Sequence, residues 1–137
     1  MTSFYPAIRT ALRERLRLTE GLPEVAWENL AFAPGPGVAH LRERLTVEGS
    51  RLVALRQARE DFAYHLDIYH PADRATDDAD DLAGLLVEWT FAPGLRLAGD
   101  GHRAVVARAE RRGGEPRPGG WYVVPVAIAL WAHRSLP

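Results

Sequence analysis

The stretch Phe62-Ala63-Tyr64-His65-Leu66-Asp67-Ile68-Tyr69-His70, closed by Pro71, decides the fold. Phe62, Tyr64, Leu66 and Ile68 alternate with Ala63, His65, Asp67 and Tyr69. That period of two belongs to a strand with one buried face, not to a helix. Downstream, Thr76-Asp77-Asp78 opens a helix, with acids in the first turn where the backbone dipole favours them. Ala79, Leu82, Ala83, Leu86 and Trp89 form its expected buried stripe, and Pro93-Gly94 closes it. Leu95 to Leu97 and Arg103 to Ala109 read as a hairpin around Gly99-Asp100-Gly101. Arg111 to Gly120, rich in glycine and proline, reads as a long loop. Trp121 to Trp131 is the last strand, with Tyr122, Val124, Val126, Ile128 and Leu130 on one face. Pro125 has no amide proton, so it points to an edge strand or a bulge.

Upstream of the deciding stretch the signals mix. Leu41, Leu45 and Val47 alternate with Arg42, Arg44 and Thr46, while the Leu, Arg, Glu, Gln and Ala content of residues 38–60 suits a helix. The alternation favours two strands turned near Gly49-Ser50, and it leaves Glu43 on the apolar side. Val25 to Phe32 reads as a short strand anchored by Trp27 and ended by Pro34-Gly35-Pro36-Gly37. Phe4, Ile8, Leu12 and Leu16 recur every four residues, with Ala11 alongside, so residues 4–18 read as an amphipathic helix. Ser3 is its expected N-cap, and Gly21 with Pro23 its stop. The expectation is one α+β domain over residues 1–137: a mostly antiparallel β-sheet with two α-helices packed on one face.

Composition narrows the chemistry. The chain has 137 residues and no cysteine, which removes disulfides, thiolate metal sites and a cysteine nucleophile. Its 17 basic residues are all arginine, which removes Schiff-base chemistry and a P-loop lysine. A net charge of −1 argues against general nucleic-acid binding. The longest apolar run, Val123 to Ala132, contains Pro125 and falls short of the ~20 residues that span a bilayer. No signal-peptide pattern is present, so the expectation is synthesis and use in the cytoplasm, or assembly there into something larger.

Charge is segregated along the chain: residues 60–88 carry a net −8 and residues 89–137 a net +4. Such a split suits a subunit whose acidic helix meets a basic edge of the next copy. The candidate interface residues are Asp77, Asp78 and Asp81 on the helix, and Arg103, Arg108, Arg111, Arg112 and Arg117 downstream. Arg111, Arg112 and Arg117 could also touch phosphates, but the loop lacks the interleaved aromatics of a single-strand binder.

Catalytic constellations are weak. His65 and Asp67 share a strand face, but alternation sends His70 to the other, and a metal site needs a third ligand. Asp77, Asp78, Asp80 and Asp81 lack the alternating ligands and central glycine of a calcium loop. Gly99-Asp100-Gly101 and Gly113-Gly114 match no phosphate-binding fingerprint.

Two further stretches carry a resemblance: Ala26-Trp27-Glu28-Asn29-Leu30-Ala31-Phe32 and Gly119-Gly120-Trp121-Tyr122-Val123-Val124-Pro125-Val126-Ala127-Ile128. Taken in order with the N-terminal helix, the strand ending Leu66-Asp67-Ile68-Tyr69-His70-Pro71-Ala72 and the helix with Leu82-Ala83, they resemble the tail terminator proteins of long-tailed phages, prophages and gene transfer agents (the lambda minor tail protein U-like family). The resemblance implies a small α+β subunit that forms a hexameric ring. The ring would cap the tail tube, end its polymerisation and offer a surface to the head-side connector, with no enzyme activity and no cofactor. The partners it implies are further copies of the chain, the tail tube protein and the connector or stopper protein, with DNA only in transit and no membrane. The implied location is the tail or neck of a phage-like particle assembled in the host cytoplasm, with loops 33–37 and 111–120 able to engage neighbours. Two other readings are another neck component, such as a head-closure or head–tail adaptor protein, and a small metal-dependent enzyme using His65, Asp67 and His102.

Overall fold

The protein is described by a computed structural model over residues 3–136. Helix α1 spans Phe4–Arg17, followed by β1 (Glu24–Ala26), β2 (His40–Ala54) and β3 (Gln57–Pro71). Helix α2 (Asp77–Leu85) runs directly into a π-helical turn, Leu86–Thr90. Strands β4 (Arg96–Gly99), β5 (His102–Arg111), β6 (Glu115–Arg117) and β7 (Trp121–Ser135) complete the chain. The seven strands form one sheet in the order β1-β2-β3-β7-β5-β4, with β6 also on β7. All pairings are antiparallel except β1 with β2, so the sheet is mixed.

The period of two in β3 continues along its full length. Even-numbered residues from Ala58 to His70 are buried and odd-numbered ones are half-buried. Strand β7 follows suit with Val124, Val126, Ile128, Leu130 and Ala132 buried. These side chains form a single cluster with Phe4, Ile8, Leu12 and Leu16 of α1, and with Ala79, Ala83, Leu86 and Phe91 from α2 and its π-turn. α1 lies close enough to β4 that a Cβ on Gly99 would stand 3.3 Å from the Ala7 carbonyl oxygen. The β4–β5 hairpin turns at Asp100-Gly101, both at positive φ (49° and 81°), as a tight two-residue hairpin requires.

Six local expectations are corrected. The β2–β3 turn lies at Leu55-Arg56, where Arg56 adopts φ 60°, and not near Gly49. Gly49 marks a register shift within the ladder, a place where glycine eases a bulge. The strand expected over Val25 to Phe32 shrinks to β1, because the chain turns after Ala26: Leu30 N–H donates to the Trp27 carbonyl at 3.1 Å and Asn29 adopts φ 63°. The π-turn is wider than an α-turn and closes with Phe91 N–H donating to the Leu86 carbonyl at 2.9 Å. It buries Leu86 and Phe91 and swings Trp89 outward, so Trp89 leaves the expected stripe. Pro125 lies in β7, between β3 and β5, in the middle of the sheet. Its carbonyl accepts from Arg112 N–H at 2.9 Å, so its absent amide proton would face the gap between β5 and β6. That gap is a local edge inside a central strand. The expected loop 111–120 also holds the short strand β6. Neither Ser3 nor Thr76 makes a side-chain cap bond to its helix.

Candidate assembly surface

The residues of the two quoted stretches turn out to be packing anchors. Trp27 lies under the guanidiniums of Arg13 and Arg17, at 5.1 and 4.9 Å from the ring centroid. The next residue, Glu28, accepts from Leu45 N–H at 2.8 Å, and its own N–H donates to Glu43 at 3.1 Å. Phe32 and Trp121 meet around His40, at 5.1 and 4.9 Å between centroids, with Tyr69 stacked on the imidazole at 4.9 Å. His40 is fully buried, and burial holds its pKa below the ordinary histidine value. The two stretches therefore close one end of the sheet.

The residues of the proposed metal reading are spread apart. His65, on the face away from the helices, bonds Thr46 Oγ1 at 3.2 Å, and burial lowers its pKa. Asp67 shares that face. His70 is buried on the helix side, its Nε2 at 2.7 Å from the Ala75 carbonyl. His102 stands edge-on to Phe4 at 5.4 Å. Among the described residues no group of three or more His, Cys, Asp or Glu side chains could hold a metal ion.

The charged interface candidates fall into two groups. Asp77, Asp78 and Asp81 are exposed on α2. Asp80 is spent internally: Arg111 at the end of β5 donates to it at 2.5 Å, and this bond holds its carboxyl below the usual range. Arg117 donates to Glu115 at 3.0 Å and to the Tyr69 hydroxyl at 3.3 Å. Arg112 stands 3.8 Å from Glu110. Arg111, Arg112 and Arg117 thus have carboxylate neighbours in their own chain, at the same end of the sheet as α2. Arg108 is exposed along β5, and Arg103 at its other end. Register places Arg103 beside Ala104, which pairs with Ala132, which in turn pairs with Glu60 near the β2–β3 turn. α2 and Glu20 thus place acids towards one end of the sheet, and Arg103, Arg96 and the hairpin arginines Arg51 and Arg56 lie towards the other, where Asp100 and Glu60 also stand.

Two exposed apolar features escaped the sequence reading: the hairpin tip Leu52, Val53 and Leu55, and the pair Leu18 and Trp89. Leu55 was readable only as part of an ordinary strand, and Trp89 only as part of a regular helix. Among the described residues no helix is long and apolar enough to cross a membrane.

No curated protein matches the chain. A solved structure 19% identical to it has a TM-score of 0.70 over 99% of each chain, a likeness that speaks to fold alone. The pattern of the family described as phage tail terminator protein matches residues 7–130, a span that includes most of α1, the Trp27–Phe32 anchor, the hairpin, α2 and most of β7. The chain belongs to the phage tail terminator family and is a structural component of the phage tail.

Proposed function

We propose that this protein forms a homohexameric ring on the tail tube, ends tube polymerisation there and joins the tail to the head-side connector. The family match over residues 7–130 carries this reading. The placement of charge supports it. A head-to-tail ring needs two unlike surfaces on each subunit, and an acidic end opposite a basic end supplies them. Asp77, Asp78 and Asp81 belong to the first surface, and Arg103, with Arg108 along the strand, to the second. Arg111, Arg112 and Arg117 border the acidic end and steady its geometry. The near-neutral chain suits a lumen through which DNA passes without being held. Assembly takes place in the host cytoplasm, and the particle is a phage or a gene transfer agent.

Mass photometry on the purified 15.2 kDa chain, alone and with tail tubes, tests the ring. The expected species is a hexamer of about 91 kDa, formed in solution or at tube ends. A chain that stays monomeric under both conditions overturns the proposal.

A further inference from the structure

The β2–β3 hairpin is longer than the helix layer that covers it. The start of α1 packs over the middle of the hairpin, where Tyr5, Pro6, Leu45, Val47 and Phe62 line one small cavity. From there α1 runs towards Glu43, which Arg13 grips. Beyond Val47 the hairpin continues away from α1 to the turn at Leu55-Arg56. Its root is held firmly: Ser50 and Arg134 both donate to Glu60, at 3.0 and 3.1 Å, tying β2, β3 and β7 together. Past that root the β2 side of the hairpin is exposed from Arg51 to Leu55, while Ala58 of β3 stays buried. Leu55 is 90% exposed and Leu52 68%, with Val53 beside them. Residues 50–58 carry Arg51 and Arg56 and no acid. The tip is an apolar knob with a positive rim.

The opposite end of α1 holds a groove of about 530 Å³ between Leu18, Glu20, Leu85 and Trp89. Leu18 is 73% exposed and Trp89 71%, the latter because the π-turn rotates it outward. The Thr19 and Thr90 hydroxyls pair at 2.9 Å in the groove floor, so that floor offers apolar contact and no orphaned donor. The rim is acidic. Glu20 lines the groove, exposed Glu88 precedes Trp89, and exposed Asp81 lies one helical turn before Leu85. Arg15, which lines the groove, is occupied by the Thr90 and Trp89 carbonyls at 2.7 and 3.3 Å, and exposed Arg17, next to Leu18, lies over the Trp27 ring at 4.9 Å.

Knob and groove match in polarity and oppose in charge, yet they cannot meet within one chain. The 14-residue α1 spans about 21 Å, and the hairpin runs on the order of 25 Å beyond its start. We propose that the β2–β3 tip of one copy docks in the Leu18–Trp89 groove of the next copy. Each subunit then gives one knob and receives one, the heterologous contact that closes into a ring. This inference rests on the ring reading and names the surface that forms the ring.

The absence of native cysteine provides a clean test. A chain carrying both Leu18→Cys and Leu55→Cys, oxidised after assembly with tail tubes, is expected to run on a non-reducing gel as a ladder extending past the dimer. Each single-cysteine chain is expected to stay monomeric. In parallel, Leu52→Asp with Leu55→Asp is expected to abolish the hexamer while the monomer keeps its circular dichroism and melting behaviour, because both sites are exposed. A wild-type-sized hexamer from the Asp variant overturns the inference and leaves the ring reading standing. Dimers from Leu55→Cys alone would mean that tips meet tips, which also overturns it. A wild-type chain that never forms a ring removes both.

Discussion

The Tyr64 hydroxyl donates to the Glu43 carboxylate inside the core, between the helix layer and the sheet. Glu43 is the one charged side chain on the apolar side of the first half of β2, and its carboxylate is almost wholly buried. A lone carboxylate there would carry a large desolvation cost. It is compensated by Arg13 of α1, which donates through Nη2 at 2.6 Å and Nε at 3.0 Å, and by the Glu28 N–H. One acid thus joins α1, β2, β3 and the segment after β1. Arg9 extends the network, 3.2 Å from Glu28.

The partners of Glu43 are unequal, and mutation should show it. Arg13→Ala leaves the buried carboxylate without its cation and is expected to cost about 3–5 kcal/mol. Tyr64→Phe removes one charge-assisted bond and leaves the ion pair, at about 2 kcal/mol. Urea unfolding at neutral pH should rank the variants in that order. The reverse order would mean that Arg13 relaxes into water and that the tyrosine is the main support.

Stability should also fall in acid through this residue. Burial alone would raise the Glu43 pKa, but Arg13, the Tyr64 hydroxyl and the Glu28 amide outweigh it and hold it below the usual carboxylate range. A carboxyl whose folded pKa is depressed contributes stability that is fully present above its unfolded value of about 4.3 and is lost as pH falls through the folded value. Burial and the bond to Glu43 push the Tyr64 hydroxyl far upward, so it stays protonated across that window. Urea midpoints measured from pH 6 downward should drop below pH 4.3 in the wild type and drop less steeply in Glu43→Gln. Parallel curves for the two proteins would place the acid sensitivity in other groups.

Much of the fold was legible because it follows from local period. The four-residue recurrence of Phe4 to Leu16 gave α1 nearly to its ends, and the alternation of Phe62 to Ile68 gave the C-terminal two thirds of β3, which starts five residues earlier at Gln57. What escaped depends on tertiary context. The turn at Leu55-Arg56 has no glycine or asparagine to announce it, whereas Gly49 offered a false signal. The π-turn breaks the 3.6-residue period, so Trp89 could not be placed by counting. Glu43 was visible as an anomaly, but its partners Arg13 and Tyr64 lie 30 and 21 residues away. The charge split was legible too, yet the Asp80–Arg111 pair, 31 residues apart, shows that part of it is settled within one subunit.

Pro125 and Val126 should respond oppositely to exchange. The missing N–H of Pro125 faces the gap between β5 and β6, so Pro125→Ala restores a donor to a place that asks for none and is expected to change stability by less than about 1 kcal/mol. Val126 pairs with Leu66 in β3 and is buried. Val126→Pro removes a central ladder bond and part of the core, at about 3 kcal/mol or more. Thermal melts of the two variants should bracket the wild type closely in the first case and fall far below it in the second. A strongly destabilised Pro125→Ala would show that the rigid ring itself holds the strand at that gap.

The acidic helix offers the sharpest separation of fold from assembly. Asp78 and Asp81 are exposed, while Asp80 is held by Arg111. Reversing Asp78 and Asp81 to arginine acts against the dipole at the start of α2, at less than about 1 kcal/mol each, so the monomer should melt nearly as the wild type does. If α2 faces the basic end of the next copy, the same reversal sets like charges against each other and the hexamer should disappear at physiological salt. Asp80→Ala should leave the hexamer almost unchanged, because its charge is already spent inside the subunit. Adding Arg51→Asp and Arg56→Asp to the reversed helix should bring the ring back. A hexamer that survives the Asp78 and Asp81 reversals would take α2 out of the interface, and loss of the ring in Asp80→Ala alone would assign the contact to the α2–β5 junction.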